Sequence, residues 1–270
     1  MQTPTPEPRQ RPDVGPPFRI VAGKGPIVAT AIHAGHDLRP EVAVNMVLEE
    51  SDRRREEDPY TDRLTVPFAN RVIVERSRFE VDLNRPPDEA VYLTEEQSWG
   101  LEVWRSRPHP ATVAGSLAIH TEFYRQMDQL LDEIASRGPF VVLDLHSYNH
   151  RRDGRYAPPA PVLENPDVNI GTGTLDHERW DPLVKRFSDD LTARLPESMV
   201  IAENVRFQGG YLSRRVNERY EGRGCALALE FKKTFMDEWT DELDELALRR
   251  LLSALAGTAD GIVGELRGMT

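Results

Sequence analysis

Three apolar runs in this 270-residue chain end in ionisable side chains. Ile27-Val28-Ala29-Thr30-Ala31-Ile32 leads into His33-Ala34-Gly35-His36, Val141-Val142-Leu143 into Asp144-Leu145-His146-Ser147, and Cys225-Ala226-Leu227-Ala228-Leu229 into Glu230. Such runs read as buried strands, and in an open α/β sheet the strand ends face the crevice where ligands bind. Imidazoles and a carboxylate gathered at that edge have the makings of a metal hydrolase. Neutral imidazole and carboxylate hold the ion, one coordination position stays open, and a glutamate that is not a ligand can act as base. Arg78 and Arg85 end a further segment, where a guanidinium can stabilise charge on an attacked carbonyl oxygen or hold a carboxylate bidentately. Each residue also has a bland reading. A histidine can be satisfied inside the core, Glu230 can pair with an arginine, and Arg85 can pair with Asp82 or Asp144.

The elements that must position these groups follow from the pattern between them. Residues 1–17 hold Pro4, Pro6, Pro8, Pro12, Pro16 and Pro17 among polar residues and read as a mobile tail, leaving 18–270 as one catalytic α/β domain. Strands are expected at 18–21 and 68–74 as well. Residues 41–58 read as a solvated helix that ends in Glu56-Glu57-Asp58-Pro59. Acids sit badly at the negative end of a helix dipole, and a cation there would remove the penalty. Residues 112–136 have helical apolar spacing and stop at Arg137-Gly138-Pro139, which supplies the helix of a right-handed crossover into the strand bearing His146. Trp99 and Trp104 are expected as packing anchors. Asn169-Ile170-Gly171-Thr172-Gly173-Thr174 reads as a tight loop without a phosphate-binding fingerprint. A helix at 181–195, a short strand at 199–202, a turn at Gln208-Gly209-Gly210-Tyr211 and a closing helix at 240–256 complete the chain. His120 and His150 take surface or helix-face positions by default.

A formal net charge of −11 argues against a nucleic-acid partner but leaves room for an anionic small molecule held by local arginines. The single Cys225 can form neither an intramolecular disulfide nor a thiol metal cluster, which fits a reducing compartment. No run approaches the ~18 apolar residues of a membrane span, and no apolar signal core opens the chain. A cytoplasmic enzyme without a membrane partner is expected; oligomeric state is not legible.

Asp82-Leu83-Asn84-Arg85-Pro86 preceded by Ser77-Arg78-Phe79, then Asp144-Leu145-His146-Ser147, then Leu229-Glu230 followed by Phe235-Met236-Asp237-Glu238, resemble the N-formylglutamate amidohydrolase family over about residues 26 to 255. That family is similar in fold to the zinc carboxypeptidases and to the aspartoacylase and succinylglutamate desuccinylase group. The resemblance implies an α/β fold of zinc-exopeptidase (phosphorylase/hydrolase-like) type, a mixed, mainly parallel sheet flanked by helices. It also implies one Zn2+ per chain, or another divalent metal, and hydrolysis of an N-formyl or N-acyl amino acid such as N-formylglutamate. On it, His33 and His146 are metal ligands, and Glu230 is the general base and proton shuttle. Arg85 with Asn84 holds the substrate carboxylate, and Arg78 assists or polarises the scissile carbonyl. The remaining ligand is either His36, at the His-x-x-Glu position of carboxypeptidases, or Asp58, which is preferred because the family places an acid in that region; Glu57 and Asp62 are nearby alternatives. Tyr211 could close over substrate and donate a hydrogen bond, or simply pack in its turn. A carboxypeptidase-like peptidase acting on a peptide or cell-wall fragment, and a non-catalytic binding protein of the same fold, are the competing readings.

Overall fold

Each run that ends in an ionisable residue forms a strand, and the three strands lie side by side. The computed structural model describes residues 15–269. Strands β1 (Phe18–Val21), β2 (Ile27–Ala31), β3 (Asn70–Val74), β4 (Phe140–Tyr148), β5 (Val168–Gly171), β6 (Ile201–Glu203) and β7 (Gly224–Lys232) form one seven-stranded sheet, in the order β1-β3-β2-β4-β7-β5-β6. β2 pairs in parallel with β3 and β4, β4 with β7, and β5 with β6; β1 and β5 run antiparallel to β3 and β7. The sheet is therefore mixed and mainly parallel, as expected. A separate two-stranded ribbon joins β8 (Met236–Asp237) to β9 (Glu242–Leu243).

The helices are α1 (Pro40–Ala43), α2 (Glu50–Glu56), α3 (Thr61–Leu64), α4 (Pro110–Ala135), α5 (His177–Thr192), α6 (Tyr211–Arg219), α7 (Glu245–Ala256) and α8 (Ala259–Gly268). Strand alternation sends Val141, Leu143 and Leu145 of β4 to one face, where they pack with Trp180, Phe187, Leu251 and Ile262 from α5, α7 and α8. Val142 faces the other way, toward Phe123, Met127, Leu212 and Val216 of α4 and α6. With both faces covered, β4 is buried throughout, and so is nearly all of β7. The buried face bearing Val142 continues through Asp144 to His146, so the sheet delivers polar groups to its edge only in the last turns of the pleat.

Several elements depart from the sequence expectation. Residues 168–171 are strand rather than loop: Gly171 lies opposite Ala228 of β7, and a Cβ there would meet the backbone of Gly209 at 2.8 Å. The glycine serves close approach instead of a turn. The turn at Gly209-Gly210 starts a helix, α6, whose apolar residues Leu212 and Val216 lie one turn apart. The closing helix expected at 240–256 starts only at Glu245, after β9, and ends as expected at Ala256; a further helix, α8, follows Gly257, where a Cβ would strike the Arg194 side chain. Residues 1–14 of the Pro-rich stretch lie outside the described residues, while the Pro17 carbonyl accepts hydrogen bonds from the backbone N–H groups of Glu75 (2.9 Å) and Arg76 (3.2 Å). Among the described residues, no helix is long and apolar enough to cross a membrane.

Candidate metal centre

His33 follows β2 by two residues, Asp58 follows α2 by two, and His146 sits near the end of β4. All three are buried, and one ligand atom from each lies within 4.8 Å of the others. The Asp58 Oδ2 atom is 3.0 Å from His146 Nδ1 and 3.5 Å from His33 Nδ1. Asp58 is held in place by its backbone N–H, which donates to the His33 carbonyl at 2.9 Å, and by Thr61, whose hydroxyl donates to the Asp58 carbonyl at 2.7 Å. Gly35 lets this loop lie against the next strand's end, since a Cβ there would stand 2.1 Å from the Glu75 carbonyl carbon.

The outward nitrogens of both imidazoles face carboxylates. His33 Nε2 is 2.7 Å from Asp82 Oδ1. His146 Nε2 is 3.1 Å from Asp144 Oδ2, in ion-pair contact outside hydrogen-bond geometry. Asp144 is in turn fixed by the Thr30 hydroxyl, which donates to Oδ1 at 2.6 Å. Carboxylates behind imidazoles orient the rings and raise their basicity, which leaves both Nδ1 atoms and Asp58 as an inward donor set suited to a divalent cation. The charge balance agrees. Burial opposes charge on Asp58 and Asp82, yet hydrogen bonds from His146 and His33 hold Asp58 low, and Arg78 and His33 hold Asp82 well below the usual carboxylate range. Burial would discharge His146, but Asp144 and Asp58 raise its pKa well above the ordinary imidazole value. The cluster demands positive charge, from a proton or from a metal that displaces it.

Glu230 stands opposite His146 in the β4–β7 register, so the two side chains share a face one strand apart. Burial pushes its pKa up to about 7; Asp58 and Asp144 add to the rise, while His146 and Arg78 oppose it. Next across the sheet is Asn169, opposite Glu230 in the β5–β7 register. Its amide oxygen accepts from the Arg206 backbone N–H at 2.9 Å and its amide nitrogen donates to the Phe207 carbonyl at 2.8 Å, which fixes the loop forming the cavity wall.

A cavity of about 370 Å³ opens over these groups, a size suited to a small molecule. His33, Asp58, His146, Glu230, Arg78 and Asn84 line it, whereas His36, Arg85 and Tyr211 do not. His36 Nδ1 turns to Glu57 Oε2 at 2.5 Å. Arg85 donates to the Gln97 carbonyl at 2.7 Å, lies 3.6 Å from Asp82 and stacks over Tyr92. It thereby takes the ion pair with Asp82 that its bland reading offered. Tyr211 packs beside Tyr124, with its backbone N–H on the Asn84 carbonyl. Arg78 donates to Asp82 at 2.9 Å and lies over the Trp99 ring at 4.8 Å. Trp99 is a correction to the sequence expectation: it is 51% exposed and lines the cavity, because a left-handed backbone (φ 57°) turns it out after the 3-10 turn Glu95–Ser98. Trp104 does pack, donating to the Tyr92 carbonyl at 2.6 Å. His120 takes a helix-face position on α4, buried and facing the Arg85 carbonyl, whereas His150 is a correction: it is buried in the loop after β4, against Glu238.

Among the lining residues that carry no role from the sequence are Asn149, Arg152, Arg206 and Lys233. The first three lie on loops that follow β4 and β6, so a polar residue soon after a strand's C-terminal end was the available signal. Arg206 lies over the Tyr148 and Phe207 rings at 5.8 and 5.6 Å, and among the described residues no carboxylate forms an ion pair with it or with Arg152.

The chain resembles the crystal structure of an N-formylglutamate amidohydrolase from Ralstonia eutropha JMP134, with TM-score 0.74 and 17% identity over 94% of this chain and 99% of that one. A gene product of Agrobacterium tumefaciens aligns with TM-score 0.64 and 17% identity, over 94% and 96% of the two chains. At such identities the likeness shows the fold. No curated protein matches the chain. A sequence model of N-formylglutamate amidohydrolase matches residues 25–236, well over half of the chain, and the protein belongs to that family of amidohydrolases.

Proposed function

We propose that the protein is a zinc-dependent amidohydrolase that cleaves the amide bond of an N-formyl or N-acyl amino acid such as N-formylglutamate. The observation that carries this reading is the convergence of His33 Nδ1, His146 Nδ1 and Asp58 at the floor of a cavity that Glu230 also lines. Bound by those three residues, a divalent ion would supply Lewis-acid polarisation of the amide carbonyl and acidify a water. Glu230 takes the proton from the attacking water and passes it to the leaving nitrogen, a shuttle suited to a carboxyl whose pKa lies near neutrality. Arg78 faces the cavity with its charge held by Asp82 and stabilises negative charge developing on the carbonyl oxygen.

For the substrate carboxylate, we assign Arg206 in place of Arg85. Arg206 lines the cavity, while Arg85 is committed to Gln97, Asp82 and Tyr92. Losing a charge-assisted hydrogen-bond partner, Arg206→Ala should raise KM for an N-acyl amino acid about 10- to 100-fold. Arg85→Ala should act through Asp82 and His33, lowering kcat more than it raises KM. Unchanged KM in the Arg206 variant would return the carboxylate to another cation.

Metal removal tests the reading as a whole. Chelator-treated protein should release no formate or acyl acid from N-acyl amino acids, and about one equivalent of Zn2+ should restore turnover. Full activity of metal-free protein would exclude this mechanism. Stoichiometric metal without turnover on N-acyl amino acids or short peptides would favour a binding protein.

A further inference from the structure

The acidic end of α2 has a cation in Lys233. Lys233 is 1% exposed, and its ammonium donates to the carbonyls of Arg55 at 2.6 Å and Glu57 at 2.7 Å. Those carbonyls lie at the helix C-terminus, where they lack partners within the helix and the dipole is negative. Asp58 is the next residue. The Lys233 backbone N–H donates to the Tyr148 carbonyl at 3.0 Å, at the end of β4, two residues past His146. Lys233 also follows β7 directly, three residues after Glu230. One side chain and its own amide therefore tie together the three segments that carry Asp58, His146 and Glu230.

We propose that Lys233 is a positioning residue of the metal centre, its ammonium setting the place of Asp58 relative to His146 and Glu230. The proposal rests on the ligand reading given above. The physical case is that a buried ammonium is costly to desolvate, and an apolar side chain of similar length fills the same space at lower cost when stability alone is at stake. What an apolar side chain cannot do is bind two helix-end carbonyls. Glu57 shows the same tethering from its other side: its carboxylate accepts from Arg53 at 3.0 Å and contacts His36 and Ser77. The residue before Asp58 is thus held by both its carbonyl and its side chain.

The test compares the parent protein with Lys233→Met, Lys233→Gln and Leu251→Ala, the last in the core of α7 away from the cavity. Zn2+ affinity is measured by chelator competition, coordination by the Co2+ absorption spectrum, and stability by thermal unfolding. Lys233→Met should lose about 10- to 100-fold in Zn2+ affinity, the usual cost of losing a group that orients ligands, with an altered Co2+ spectrum. Lys233→Gln, which keeps a hydrogen-bond donor on a shorter side chain, should lie between Met and parent. Leu251→Ala should unfold at lower temperature with parental affinity and spectrum. Parental affinity and spectrum in Lys233→Met overturn the proposal, as does an equal loss in Leu251→Ala. Should Lys233→Met not fold, parental values in Lys233→Gln overturn it. A parent protein that binds neither Zn2+ nor Co2+ removes the ligand reading itself, a result distinct from equal binding by all variants.

Discussion

Glu230→Gln should lower kcat for amide hydrolysis by about 10²- to 10⁴-fold while metal content stays at the parental level, the range expected when a positioned acid–base group is lost. The substitution keeps the shape of the side chain and removes its ability to accept a proton. Glu230 is absent from the His33, Asp58 and His146 donor set, so the ion should remain. Folding gives an independent check. Burial raises the Glu230 pKa from 4.5 in the unfolded chain to about 7, so the folded state binds this proton more tightly. The Glu230 contribution to the stability of metal-free protein is therefore fully present below pH 4.5 and is lost as pH rises through about 7. The amide variant lacks that decline and should unfold at a temperature no lower than the parent near neutral pH. A variant that is stable, metal-loaded and fully active would take the base role away from Glu230.

The parts of this site that were legible in sequence are those set by short-range pattern. An apolar run that ends in His146 or Glu230 states both that a strand is buried and where its chemistry emerges, because the pleat fixes which face each residue takes. The β4–β7 register then places His146 opposite Glu230 without help from any loop. Arg85 shows where this reasoning stops. Motif position alone puts it in the site, yet its direction depends on Gln97 and Tyr92, which are distant enough in sequence that no periodicity reports on them. Arg206 is the converse case, brought to the cavity by Asn169 from another strand. Lys233 was legible only as a deficit: the acidic end of α2 called for a cation, and the sequence did not say which residue would supply it.

Asp58→Ala should abolish stoichiometric metal binding and with it turnover, whereas His36→Ala should retain both. Asp58 supplies the carboxylate that faces both Nδ1 atoms, at 3.0 and 3.5 Å. Its loss leaves two imidazoles, too few donors for a catalytic zinc site, and should cost more than the about 10- to 100-fold that follows loss of an orienting partner. His36 can cost no more than that lesser amount, because its Nδ1 is engaged by Glu57 and its side chain lies outside the cavity. Equilibrium dialysis with Zn2+ separates the two. Metal lost from His36→Ala and kept by Asp58→Ala would require the His33 loop to rotate and release Glu57, which Arg53 and Ser77 also hold. The backbone argues the same way as the side chains: the Asp58 N–H is bonded to the His33 carbonyl, so the loop that brings His33 to the centre brings Asp58 with it. The carboxypeptidase pattern offered His36, but the ligand pair we propose is built between two segments, and that bond is what joins them.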